Sequence, residues 1–411
     1  MVERSFRLWA SVAAAGLLLG AGAVALARDS SFAEVMRGRY LVYAGDCAAC
    51  HTDDRGKPFA GGRAVPTPFG TIYSTNITPD RETGIGKWSE EDFWNAMHNG
   101  IRRDGSHLYP AFPYPWYTKL GRGDVLAIRS YLNTLDAVRQ ENKPPELPWP
   151  MSWRGSLAIW NTLFFKPGTY EWNPNKSEQW NRGAYLVEGL GHCGACHSPK
   201  NLLGAVKKDH ALEGGMGEGW FATSLRPASQ EGLGAWSVDE IVEYLKTGAV
   251  NRARAMGPMA EVVHNSTHYL NDYDLHAMAM YLKDQPAASQ DHESPSSDKD
   301  VLSRGRLVYI DQCAGCHREN GEGIPGVFPP VKGNSGANAH DPTSLARLVL
   351  EGAPSVGTTA KPERFAMPGF DWKLNDQEVA DVLTYIRASF GNQAGAVSAS
   401  KVADVRKQLE H

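Results

Sequence analysis

The chain has 411 residues, 42% hydrophobic and 21% charged, with 42 Lys and Arg against 46 Asp and Glu for a formal net charge of -4. That balance excludes nucleic acid as a partner, which calls for a basic surface, and beyond the N-terminal stretch no segment is long and apolar enough to cross a bilayer. The 42 Gly and 25 Pro point to loop-rich domains, whose small hydrophobic cores need reinforcement from another source.

Arg4 and Arg7 precede an apolar stretch from Leu8 to Ala27 that ends in Ala25-Leu26-Ala27. A small-x-small ending after such a stretch predicts a secretory signal peptide over residues 1–27. The competing reading is an uncleaved anchor, since about 20 apolar residues just span a bilayer. Either way the rest of the chain is expected outside the cytoplasm, in a periplasm.

Residues 32–140 open with Arg37-Gly38 followed by Tyr40 and Val42, the apolar run of an N-terminal helix, and then Cys47-Ala48-Ala49-Cys50-His51. Two thiols three positions apart can add to the two vinyl groups of one porphyrin while the next imidazole reaches its iron. This is the attachment signature of a c-type haem. Downstream, Ser89 with Asp92 forms a capping pattern that starts a short helix, and Gly100 is its left-handed stop. A closing helix is predicted over Asp124–Leu132.

Residues 141–177 combine Pro144, Pro145, Pro148 and Pro150 with Trp149, Trp153, Trp160, Phe164, Phe165 and Trp172. So aromatic a linker is no free tether. It either packs between its neighbours or presents a face to a partner or a membrane surface.

The same order of features then returns twice. Residues 178–286 carry Arg182-Gly183, Cys193-Gly194-Ala195-Cys196-His197, a Ser237/Glu240 capping pattern, a stop at Gly248 and a closing helix over Asn271–Leu282. Trp236 matches Trp88, each just after a Gly-x-Gly-x sequence. A polar linker over 287–298 has the composition of a flexible segment. Residues 299–391 carry Arg304-Gly305, Cys313-Ala314-Gly315-Cys316-His317, a helix from about Pro342 to Gly352, and a closing helix over Asn375–Ile386. Tyr131, Tyr281 and Tyr385 fall in register near the ends of the closing helices, and the tail, 392–411, has a weakly amphipathic helical pattern from Val397 on.

These repeats predict a mainly α fold of three tandem class I cytochrome c domains with three covalently bound haem c groups. All six cysteines lie in the attachment motifs. A redox pair would need a βαβ context, a zinc site a second ligand pair, and a disulfide an unused cysteine, and none of these is present.

His51, His197 and His317 are the expected proximal iron ligands. A methionine thioether opposite them, in the loop before the closing helix, would close the site and raise its potential. Met259 holds that place in the second repeat and Met367 in the third, while Met256 lies further from the closing helix. In the first repeat the position is Phe112, and a phenyl ring cannot bind iron. Met97 aligns with Leu245 and Val349 on the apolar face of its helix and reads as core. His98 is matched with Lys246 and Glu351 and is expected to face solvent. His107, five residues before Phe112, is the best candidate for the sixth ligand, with an empty or water-filled position as the alternative. Bis-histidine ligation would make the first haem the lower-potential centre.

Tyr73-Ser74-Thr75-Asn76-Ile77-Thr78-Pro79-Asp80, Arg182-Gly183-Ala184-Tyr185-Leu186-Val187-Glu188-Gly189 with His192-Cys193, and Gly257-Pro258-Met259-Ala260-Glu261-Val262-Val263 resemble the three-haem cytochrome c subunit of bacterial membrane-bound dehydrogenases. That group includes the cytochrome subunits of gluconate 2-dehydrogenase, fructose and sorbitol dehydrogenases, and the quinoprotein alcohol dehydrogenase. The resemblance covers nearly the whole chain after its leader. It implies an electron-transfer subunit at the outer face of the cytoplasmic membrane. Such a subunit takes electrons from a catalytic subunit holding flavin, pyrroloquinoline quinone or molybdopterin, accompanied by a small third subunit, and delivers them to ubiquinone or a terminal oxidase. Phe112 departs from the methionine common in the sugar and alcohol enzymes and leaves open a molybdenum partner that oxidises aldehydes or N-heterocycles.

No catalytic residues are expected in the chain itself. The alternative from the enzyme class is a peroxidase-type protein with an open first haem. The proline-flanked aromatic loop around Phe112 offers no acid-base pair for peroxide cleavage, which argues against it.

Overall fold

The computed structural model describes residues 30–227, 231–288 and 294–409. The leader expected over 1–27 and part of the linker expected over 287–298 lie outside them. Among the described residues helices dominate, and every sheet is a two-stranded antiparallel hairpin.

The first unit runs α1 (Phe32–Ala44), α2 (Cys47–His51), the hairpin β1 (Ala64–Thr67) and β2 (Gly70–Tyr73), α3 (Glu90–Asn99), α4 (Tyr114–Tyr117) and α5 (Arg122–Leu132). The linker contains α6 (Gly155–Phe164). The second unit has α7 (Glu178–Tyr185), β3 (Gly215–Gly217) with β4 (Trp220–Ala222), α8 (Val238–Thr247), β5 (Ala249–Val250) with β6 (Ala253–Arg254), α9 (Pro258–Asn265) and α10 (Asp272–Lys283). The third has α11 (Lys299–Val308), α12 (Ala314–His317), α13 (Thr343–Glu351), β7 (Gly352–Pro354) with β8 (Ala366–Pro368), and α14 (Asp376–Ala388), followed by α15 (Ala399–Leu409).

One packing device recurs in all three units: the N-terminal helix crosses the closing helix at the Arg-Gly step. A Cβ on Gly38 would stand 1.8 Å from the Ala127 carbonyl oxygen, one on Gly183 1.9 Å from that of Ala277, and one on Gly305 2.1 Å from that of Asp381. Only glycine allows backbones this close. The preceding arginine reaches an acid of the closing helix: Arg37 Nε donates to Asp124 at 2.7 Å, Arg182 to Asp274 at 2.8 Å and Arg304 to Asp381 at 2.6 Å. Tyr131, Tyr281 and Tyr385 flank the same glycines one turn further on.

Local signals fix the shorter helices. Ser89 with Asp92, Ser237 with Glu240, and Asn375 with Glu378 form reciprocal capping boxes, each contributing about 1 kcal/mol. Gly100 and Gly248 close α3 and α8 in the left-handed region, at φ 64° and 73°. The third copy differs. Pro342 is the cap rather than the first helical residue, because Asp341 accepts from the Thr343 amide at 2.8 Å. Gly352, at φ 69° and ψ -178°, leads straight into β7.

Three expectations need adjustment. The closing helix of the first unit starts at Arg122, which puts Asp124 inside it, 6% exposed, where it receives Arg37 and Tyr185. The segments around Met259 and Met367 are not loops: Pro258 opens the first turn of α9, and Met367 pairs with Ala353 across the β7–β8 hairpin. His98 does not face solvent freely. It stacks on Trp94 at 4.3 Å, its Nδ1 is buried, and counting back from Gly352 its counterpart in the third unit is the fully buried Leu350.

The first two units share one hydrophobic core, in which Leu41, Val42, Tyr117 and Leu120 pack with Leu186, Leu190, Leu270 and Leu275. The third has its own, closed by α15, whose Val402 and Val405 are 0% and 2% exposed. Arg406 holds that tail helix down through Asp376 and the Leu374 carbonyl.

Candidate functional site

None of the six motif cysteines is paired in a disulfide. The residue before the first cysteine adopts a left-handed conformation in the first two motifs, Asp46 at φ 51° and His192 at φ 38°, which turns each cysteine out of the preceding helix. In the third motif a π-turn over Tyr309–Cys313 carries the chain through without that kink.

Each motif histidine is held in the same way. His51 Nδ1 lies 2.6 Å from the Thr75 carbonyl oxygen, His197 Nδ1 2.7 Å from that of Thr223, and His317 Nδ1 2.9 Å from that of Pro329. A carbonyl can only accept, so Nδ1 carries the proton and Nε2 keeps its lone pair for a metal. Enclosure by the surrounding protein lowers the pKa of all three rings, which favours the neutral form that an iron ligand requires. Each histidine carbonyl in turn accepts from a glycine amide with positive φ: Gly61 at 2.8 Å, Gly214 at 2.9 Å and Gly323 at 2.9 Å. Two thiols plus an oriented neutral imidazole, three times over, are the donor set that haem c needs.

The Thr75-Asn76-Ile77-Thr78 segment owes its shape to Asn76, which is 3% exposed. Its Oδ1 accepts from the amide and hydroxyl of Thr78, and its Nδ2 donates to Thr83 and to the Val138 carbonyl. This cross-bracing fixes the neighbouring Thr75 carbonyl against His51.

Met259 packs between the shared core and a small cluster of Ala255, Val263 and Val356, and Met367 packs on the core of the third unit. Phe112 lies edge-on to Tyr117 at 5.4 Å, and Tyr117 donates to the Gly45 carbonyl just before the first motif. Met97 is buried in the shared core, as are Leu245 in that core and Val349 in the core of the third unit. His107 is held by the linker helix. Its Nδ1 lies 3.1 Å from Asn161 Nδ2, and Asn161 Oδ1 accepts from Tyr114. In this arrangement Nδ1 accepts and Nε2 bears the proton, the opposite of the tautomer at His51.

Two residues that the sequence did not single out join the first and second sites. Arg63 donates to the Ala49 carbonyl inside the first motif at 2.6 Å and pairs with Glu261 at 2.8 Å and Glu218 at 3.5 Å. Glu261 is two residues past Met259, and Glu218 follows Gly217, where a Cβ would lie 2.9 Å from Cys196 Sγ. Tyr117 donates to Gly45 and places its ring 5.6 Å from His192. Beside them Asp46 Oδ1 is buried without a hydrogen-bond partner among the described residues, and burial, reinforced by Glu261, pushes its carboxyl well above the ordinary range.

The chain is similar to several known proteins. The cytochrome c family matches residues 302–389. The gluconate 2-dehydrogenase cytochrome c subunit of Pantoea cypripedii is 42% identical over 93% of this chain and 92% of its own length. The cytochrome c subunit of the quinone-dependent alcohol dehydrogenase of Gluconobacter oxydans is 40% identical over 97% and 87%. A nicotinate dehydrogenase component of Pseudomonas putida is 45% identical over 92% of this chain, which spans 32% of that larger protein.

Proposed function

This chain belongs to the family of dehydrogenase cytochrome c subunits, and from that premise we propose that it relays electrons in the periplasm from a catalytic dehydrogenase subunit, through three haem c groups, to ubiquinone or a terminal oxidase. Haem iron supplies a one-electron carrier whose potential follows its axial ligands. The three tandem units hold these groups through Cys47 and Cys50, Cys193 and Cys196, and Cys313 and Cys316, with His51, His197 and His317 oriented by their carbonyl partners.

Met259 and Met367 complete the second and third sites. In the first, Phe112 covers the place of the missing thioether and His107 is the proposed sixth ligand. Its ligation requires the Asn161 amide to turn over, so that Oδ1 accepts from Nδ1, Nε2 is freed, and Nδ2 donates to the Tyr114 hydroxyl.

The observation that carries the relay is Arg63, which touches the backbone of the first attachment motif and two carboxylates beside the second. Such a junction would hold the two attachment sites in a fixed relation to each other. The relatives named for gluconate, alcohol and nicotinate oxidation support a flavin, quinoprotein or molybdenum donor, with a small third subunit completing the complex.

The test is a redox titration of the purified complex followed at the haem absorption. The relay predicts three haems per chain, all reduced by the catalytic subunit's substrate and all reoxidised by a soluble ubiquinone. A chain with fewer haems, or haems that substrate cannot reduce, overturns it.

A further inference from the structure

The aromatic linker is only half absorbed by the fold. On α6, Leu157 is buried and Asn161 bonds to His107 and Tyr114, so that face docks on the first unit. Ile159 and Leu163, each two positions on and hence about 200° round the helix, are 61% and 64% exposed. Trp149 and Trp153, just upstream, are 81% and 59% exposed.

A distant segment extends this surface. Trp160 Nε1 donates to the Leu203 carbonyl at 2.9 Å, which brings the turn of the second unit carrying Leu202, 96% exposed, beside α6. The charges lean basic. Residues 147–170 contain Arg154 and Lys166, and residues 197–208 contain Lys200, Lys207 and Lys208, with Glu146, Glu171 and Asp209 at the borders of the two stretches. Arg154 and Lys200 are tied to the His107 and Met216 carbonyls, and Lys166, Lys207 and Lys208 are exposed. The chain as a whole has an excess of acid, with a formal charge of -4.

We propose that this surface, α6 with its flanking tryptophans and the Leu202–Leu203 turn, docks the protein on an anionic lipid bilayer. Tryptophan and aliphatic side chains partition into the headgroup boundary, and lysine and arginine at their edge are drawn to anionic headgroups. Exposed tryptophans and aliphatic side chains edged by lysine match a membrane-surface face better than the core of a protein interface, where lysine is depleted. The proposal rests on the periplasmic relay reading above and names how that relay meets the membrane.

The test is co-sedimentation of the processed, haem-loaded chain with vesicles of phosphatidylcholine alone and with phosphatidylglycerol added. Binding at least tenfold stronger to the anionic vesicles and weakened by salt is expected. Ile159→Asp with Leu163→Asp should remove it, and Lys207→Glu with Lys208→Glu should abolish the preference for anionic lipid. Leu202→Asp, on a separate turn, is an independent check. Unchanged visible spectra and haem potentials in these variants show that the relay is intact. No binding to either vesicle, binding indifferent to the variants, or failure of the variants to hold a catalytic partner while vesicle binding is unchanged overturns the proposal.

Discussion

Tyr40 donates to Asp274 at 2.6 Å, and Tyr185 donates to Asp124 at the same distance. Each tyrosine stands three residues after the arginine of its own Arg-Gly step, and each carboxylate is the one that the other unit's arginine engages. The exchange is reciprocal, as in a two-fold dimer interface built within one chain. In the third unit the matching residue is Leu307, 65% exposed, so that unit does not take part.

Unfolding should therefore show two cooperative blocks. Calorimetry of the haem-loaded chain is expected to give one transition for the first two units together and a separate one for the third. Val402→Asp should shift the third-unit transition alone, by about 3 kcal/mol, since it places a charge at a fully buried site. A single transition for all three units contradicts this division.

Breaking the reciprocal contact should weaken the first block. Tyr40→Phe and Tyr185→Phe should each cost about 1 to 2 kcal/mol, and Asp274→Ala about 3 kcal/mol, because it also strands Arg182. Denaturant titration reads these values, and effects confined to the third-unit transition would refute the assignment.

The same carboxylate gives a pH signature. Burial alone would raise the Asp274 pKa, but hydrogen bonds from Arg182 and Tyr40 overcome it and hold the carboxyl below its ordinary value. A depressed folded-state pKa stabilises above the unfolded value of about 3.9. That stabilisation is lost as pH falls through the lower, folded value. The first block should lose stability on acidification, and Asp274→Asn should flatten that dependence.

Axial ligation is testable one residue at a time. Met259→Ala and Met367→Ala should each convert one haem from thioether-ligated low spin to an open or water-bound centre and lower its potential. His107→Ala should change only the remaining haem. An unchanged spectrum there removes His107 from the ligand set, and Asn161→Leu should then be equally silent.

The attachment motifs and the capping boxes are legible in the sequence because they depend on residues close along the chain. Cys-x-x-Cys-His is five consecutive residues, and Ser89 meets Asp92 within one turn. The family resemblance is legible too, since it rests on whole segments kept in order. The Arg-Gly steps are visible as a repeat, but their reason is not, because it needs the Ala127 and Ala277 carbonyls some 90 residues away. Arg63 and Tyr117 give no local sign, since several of their partners, Glu218, Glu261 and His192, belong to the second unit. Alignment with a lysine misplaces His98, because it says nothing of Trp94 stacked against the ring.

The number and accessibility of the haems in the native complex decide most directly between the relay and an open haem enzyme. Anaerobic titration with the donor's substrate, followed by addition of a soluble ubiquinone, should reduce and then reoxidise three haems per chain, with the first low-spin throughout and inert to peroxide. A first haem that is high-spin in the resting protein and consumes peroxide would contradict the relay and restore the peroxidase reading.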